Sequence, residues 1–66
     1  MKLNIEGAPL EYAKSLTKKE LQKVIKDCKK GEYDEFTDRC RICFEKYLAG
    51  DLNAAQWWSN HAEFAR

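Results

Sequence analysis

The sequence lacks a long hydrophobic run. None of its 66 residues belongs to a stretch approaching the ~20 consecutive apolar positions that a membrane-spanning helix needs, so no membrane partner is expected. Met1 to Leu10 hold one lysine and no apolar core, and no signal peptide is expected there. Cysteine occurs three times, an odd number that rules out a fully paired disulfide framework within one chain. Reduced thiols in a reducing compartment, hence a cytoplasmic protein, are the simpler expectation. Proline occurs once and glycine three times. All four can be placed outside helix interiors, so helices run uninterrupted between them. There is no serine motif, no carboxylate pair and no phosphate loop, so the reading is of a protein that is not an enzyme and carries no cofactor.

What is present is bulk and charge. Hydrophobic residues make up 44% and charged residues 35%, the balance of a globular chain rather than a disordered one. Eight aromatics are a large supply for one small domain, which at this size buries only about 60% of its unfolded surface and is marginal without help. The net charge of +1 is unevenly spread: residues 1–30 hold eight lysines against four acids, and residues 31–66 hold four cations against seven acids. That asymmetry orients the molecule in a field without naming a partner.

The helix signals are local and strong in the middle of the chain. Lys2-Leu3-Asn4-Ile5 alternates too briefly to define a strand, so residues 1–8 read as extended or disordered. Pro9 suits the first position of a helix over about 9–15. Thr17-Lys18-Lys19-Glu20 is a capping box, flanked by Leu16 and Leu21 as a hydrophobic staple, and it opens a helix over about 18–30. In that helix Leu21, Val24, Ile25 and Cys28 follow the i, i+3, i+4, i+7 pattern, and Gly31 supplies the left-handed stop. A helix over about 34–49 places Tyr33, Phe36, Cys40, Cys43, Phe44, Tyr47 and Leu48 within an arc of roughly 140°, with Ile42 well outside it. Gly50 ends it, and Asp51 or Asn53 begins a helix over about 54–65, Asn53 and Gln56 having capping-box spacing. On that last helix Trp57, Trp58, His61, Ala62, Phe64 and Ala65 fill one side and Gln56, Ser59, Asn60 and Glu63 the other. The expectation is an all-α fold, a small three-helix bundle in one domain with a short additional N-terminal helix or turn.

Three functional readings follow. The first is a small non-enzymatic protein that modulates or inhibits a partner, another protein or itself, by docking through an aromatic helix face. Adjacent Trp57 and Trp58 point about 100° apart, so one enters the core and the other faces its edge. Tryptophan is enriched in binding hot spots. The contact residues on this reading are Trp58, Phe64 and Ile42, with Tyr47 in reserve. The second reading is a nucleic-acid-binding module, in which Lys19, Lys23, Lys26 and Lys30 line one side of a helix as a basic stripe, with Arg39 and Arg41 extending it. Lysines are also the default covering of a solvated face. The third is a zinc-stabilised module: Cys40 and Cys43 form a CxxC, and Cys28 and His61 complete a Cys₃His set if all four face inward. The usual second close-spaced ligand pair is missing, and buried cysteines serve equally as small hydrophobes.

Overall fold

The computed structural model describes residues 3–32 and 34–65, which form four helices: α1 (Pro9–Lys14), α2 (Lys18–Cys28), α3 (Glu35–Leu48) and α4 (Leu52–Phe64). No strand occurs among the described residues. Tyr33 and Lys2, read above as part of the α3 arc and of the N-terminal alternation, lie outside them.

Each helix begins where a side chain can satisfy its first amides. Thr17 and Glu20 make both halves of the capping box, the Glu20 amide donating to Thr17 Oγ1 at 3.1 Å and the Thr17 amide to Glu20 Oε1 at 2.9 Å. These bonds favour the ionised Glu20 and hold its carboxyl below the ordinary value. Asp34 caps α3 by accepting from the Thr37 amide at 2.8 Å. Asp51 caps α4 by accepting from the Ala54 amide at 3.1 Å. The last helix therefore starts at Leu52, directly after Asp51, which itself follows the left-handed Gly50 (φ 86°). Asn53 is the second residue of that helix and forms no capping box; Gln56 instead donates to Asn60 one turn on. The short α1 has Pro9 at its start and no side-chain cap of its own. Its Leu10 amide donates to Ser59 Oγ, at 3.0 Å, across the interior.

α3 is the central element, packing against α1, α2 and α4 and most extensively against α4. It buries Phe36, Thr37, Cys40, Cys43 and Phe44, as its sequence period requires, with Tyr47 and Leu48 half-buried beside them. α2 contributes Leu21, Ile25 and Cys28. It is tied to α3 by Lys29 on Glu45 (3.2 Å), while Arg41 bonds both Asp38 (2.8 Å) and Glu45 (3.0 Å). The extended N-terminal segment crosses the start of α3, where Leu3 is buried and its amide donates to Thr37 Oγ1 at 2.8 Å.

α4 is turned differently from the sequence expectation. Its fully buried residues are Ala55, Ser59 and Ala62, spaced i, i+4, i+7. With side chains this small, α4 lies close on α3, and the Cys43 thiol donates to the Ala55 carbonyl at 3.2 Å. Ser59, assigned to the solvent side from sequence, is at the centre of the buried stripe. Close backbone approach and the Leu10–Ser59 bond outweigh the pull of the aromatics inward. No helix among the described residues is long and apolar enough to cross a membrane.

Candidate functional site on the outer face of the last helix

At about 100° per residue, Trp57, His61 and Phe64 fall within roughly 60° of one another and far round the helix from the Ala55–Ser59–Ala62 stripe. The turn of α4 thus places an aromatic ladder outside. Phe64 is 84% exposed and Trp57 51%, and with Leu52 at 56% they are the exposed large hydrophobics among the described residues. Leu52 projects from a different edge of the helix, about 140° from Trp57.

The ladder is held by its own contacts. The His61 ring stacks on Trp57 with centroids 3.6 Å apart and planes 17° apart. His61 Nδ1 lies 2.8 Å from the Trp57 carbonyl. A carbonyl only accepts, so Nδ1 carries the proton and donates this bond. Trp58 meets Trp57 edge-on at 4.9 Å and 78°, and Phe64 meets His61 edge-on at 6.3 Å and 70°. Beneath the ladder, Arg39 on α3 donates to the His61 carbonyl at 2.8 Å and pairs with Glu35, which anchors the C-terminal half of α4. The arrangement leaves two large aromatic side chains exposed on one arc of α4.

The residues named from sequence are distributed unevenly around this face. Phe64 is its most exposed member. Trp58 is half-buried against the core at the ladder's edge, Tyr47 is half-buried against the core from α3, and Ile42 is half-buried on the outer side of α3. Trp57 and His61 were not among the contact residues read from sequence, although they form the middle of the ladder. Lys19, Lys23 and Lys26 are exposed along α2, and Lys30 is exposed beyond its C-terminal cap, where it pairs with Asp27 at 3.3 Å. Arg39 and Arg41 do not extend that stripe as free cations, being engaged by Glu35, Asp38 and Glu45.

The Cys₃His set is not assembled. Cys28, Cys40 and Cys43 are buried, but His61 stacks on Trp57 on the outward side of α4. Among the described residues no group of three or more His, Cys, Asp or Glu is placed to hold a metal ion. The zinc alternative required all four side chains to converge, and the turn of α4 carries His61 away from the buried cysteines. Burial pushes the Cys43 thiol up to about 11 and raises Cys28 as well, so both are protonated at neutral pH and behave as small apolar side chains.

A depression of about 370 Å³ lies between the N-terminal segment, the start of α3 and the end of α4, lined by Leu3, Asn4, Ile5, Asp34, Phe36 and Ala65. Of these only Asp34 is ionisable, and it caps α3. The chain matches no family model, no curated protein and no solved structure.

Proposed function

We propose that this chain is a non-enzymatic cytoplasmic protein that modulates or inhibits a partner by docking on it through the outer face of α4. The observation that carries the reading is the exposed Trp57–His61–Phe64 ladder, opposite the small residues that α4 buries. Large aromatics with a surrounding polar rim (here Asn53, Gln56 and Asn60) have the composition of an interface core and its edge. The raised thiols of Cys28 and Cys43 are poor nucleophiles at neutral pH, which favours the non-enzymatic reading, and the odd number of cysteines favours a reducing compartment. Phe64, Trp57 and the exposed edge of Trp58 supply the contact, with Ile42 and Tyr47 on α3 outside the ladder.

The test is capture of tagged wild type and tagged Phe64→Glu from nuclease-treated lysate of the native cell. A protein retained near equal stoichiometry by the wild type and lost with the variant supports the reading; equal retention by both overturns it.

A second reading has one observation in its favour. Lys18, Lys19, Lys23 and Lys26 are exposed on α2, and no ion pair involves them among the described residues. They leave a basic stripe able to lie along a phosphate backbone. Binding to single- or double-stranded nucleic acid that falls steeply with salt, and falls further in Lys19→Gln/Lys23→Gln/Lys26→Gln, would favour this reading over the first.

A further inference from the structure

We infer that a second copy of this chain occupies the outer face of α4 when the chain is alone, the two helices packing antiparallel about a two-fold axis so that Trp57 of each copy meets Phe64 of the other. The inference rests on the docking reading, since it uses the same face and names its occupant.

The position of the ladder along α4 suits this pairing. Trp57 and Phe64 are seven residues apart, about 10 Å along the helix, and His61 lies close to their midpoint. A two-fold axis near Asn60 and His61 brings Trp57 of one copy onto Phe64 of the other, twice, from one self-complementary patch. The helix directions that achieve this are antiparallel, so the two helix dipoles oppose each other favourably.

Charge favours a second copy as well. The exposed face of α2 carries lysines that repel their own image. The exposed arc of α4 instead carries Asn53, Gln56 and Asn60 beside the ladder, with Glu63 a third of a turn away from Trp57. Gln56 already donates to Asn60 at 2.9 Å, so these amides enter a contact partly satisfied. The face can meet itself with no buried like-charge pair, the arrangement that homodimer interfaces show.

Area places the contact among small interfaces. Aromatic side chains offer roughly 150–250 Å² each, so at 84% and 51% exposure Phe64 and Trp57 present on the order of 300 Å² of apolar surface. With an interface about 60% apolar, the patch amounts to roughly 500 Å² per copy. That is below the ~800 Å² per partner of a standard interface and near the ~1,000 Å² total of a weak one. The dimer is therefore weak and reversible.

Sedimentation equilibrium of the full chain from low micromolar to millimolar concentration tests this. The wild type rises from the monomer mass of 7.7 kDa toward twice that value. Phe64→Glu stays at the monomer mass with unchanged far-ultraviolet circular dichroism. In Trp58→Phe, where Trp57 is the sole tryptophan, emission shifts to the blue along the same concentration isotherm; this measurement decides the matter even if Phe64→Glu misfolds. A wild type that remains monomeric at millimolar concentration overturns the inference, as does a dimer that Phe64→Glu leaves intact or one that leaves Trp57 emission unchanged. A monomeric wild type whose captured partner is lost in Phe64→Glu removes only the second copy and leaves the docking reading. A dimer abolished by Phe64→Glu with capture unaffected removes that reading and leaves this one.

Discussion

Ser59→Ala and Phe64→Ala should change stability in the order opposite to that suggested by side-chain size. Ser59 is fully buried, and its hydroxyl accepts the Leu10 amide at 3.0 Å. The first amides of a helix have no intrahelical acceptor, so removal of the hydroxyl leaves a buried donor without a partner. Such a loss costs about 1–3 kcal/mol. For a chain of 66 residues, whose total stability is on the order of 3–10 kcal/mol, this is a large fraction. It corresponds to a fall in Tm of roughly 5–20 °C. Phe64 is 84% exposed and has little contact to lose, so its truncation should stay within about 0.5 kcal/mol. Were the aromatic side of α4 the core side, Phe64→Ala would cost about 3–5 kcal/mol and Ser59→Ala almost nothing. Urea unfolding followed at 222 nm, at protein concentrations low enough to keep the chain monomeric, separates the two. A loss above about 2 kcal/mol for Phe64→Ala, or below about 0.5 kcal/mol for Ser59→Ala, would refute the orientation of α4 described above.

Three further perturbations test other parts of the structure. The buried Cys43 thiol is raised from its ordinary 9.0 to about 11, so its neutral form is favoured by the fold. Its contribution is complete below pH 9 and is lost as pH rises through about 11, roughly 2–3 kcal/mol in all. Alkaline titration of urea stability should show this decline in the wild type and lose most of it in Cys43→Ala. Glu45 is opposed by burial, but hydrogen bonds and charge from Lys29 and Arg41 hold its carboxyl below the ordinary value. Its contribution is therefore present above the unfolded-state pKa and lost as pH falls through the lower folded one. Glu45→Gln should flatten that acid limb by under about 1 kcal/mol, since water screens the pair. Thr17→Ala removes the cap of α2 and should cost about 0.5–2 kcal/mol in thermal or urea unfolding, with the α3–α4 contact unaffected.

The parts of the fold that were legible in the sequence are those governed by neighbours along the chain. The Thr17–Glu20 box and the stops at Gly31 and Gly50 depend on near neighbours along the chain, and each could be read directly. The inward arc of α3 was legible too, because Phe36, Cys40, Cys43 and Phe44 have no competing apolar face. α4 was not, because periodicity arguments weight a helix by its largest side chains. The distance between two helices is limited by the side chains lying between them, and Ala55, Ser59 and Ala62 permit the closest approach. Their i, i+4, i+7 spacing was the available signal, masked because serine counts as polar. Its acceptor role depends on Leu10, 49 positions away, which no local pattern reports. The same error placed His61 inward, where it completed the zinc alternative opened by the Cys40–Cys43 pair.

The division of bulk among the helices explains why the ladder can stand outside at all. The interior volume is filled from the other side: Phe36 and Phe44 from α3, Leu21 and Ile25 from α2, Leu10 from α1, and Tyr12 tilted against Phe44 at 6.0 Å. α4 adds proximity and one side of Trp58, so Trp57 and Phe64 are not needed to complete the core. Left in water, such side chains favour non-specific association. The local packing limits that cost and prepares the face for a defined contact. The His61 stack and the bond from Nδ1 to the Trp57 carbonyl restrict the indole before anything binds. Ordering a side chain at an interface ordinarily costs about 0.5–1.5 kcal/mol, and a side chain already held gives up less of its freedom on docking. A loosely held tryptophan at the same exposure would have the same area and a weaker contact. The contribution of His61 to affinity should therefore exceed what its own buried surface accounts for, because it acts through the orientation of Trp57.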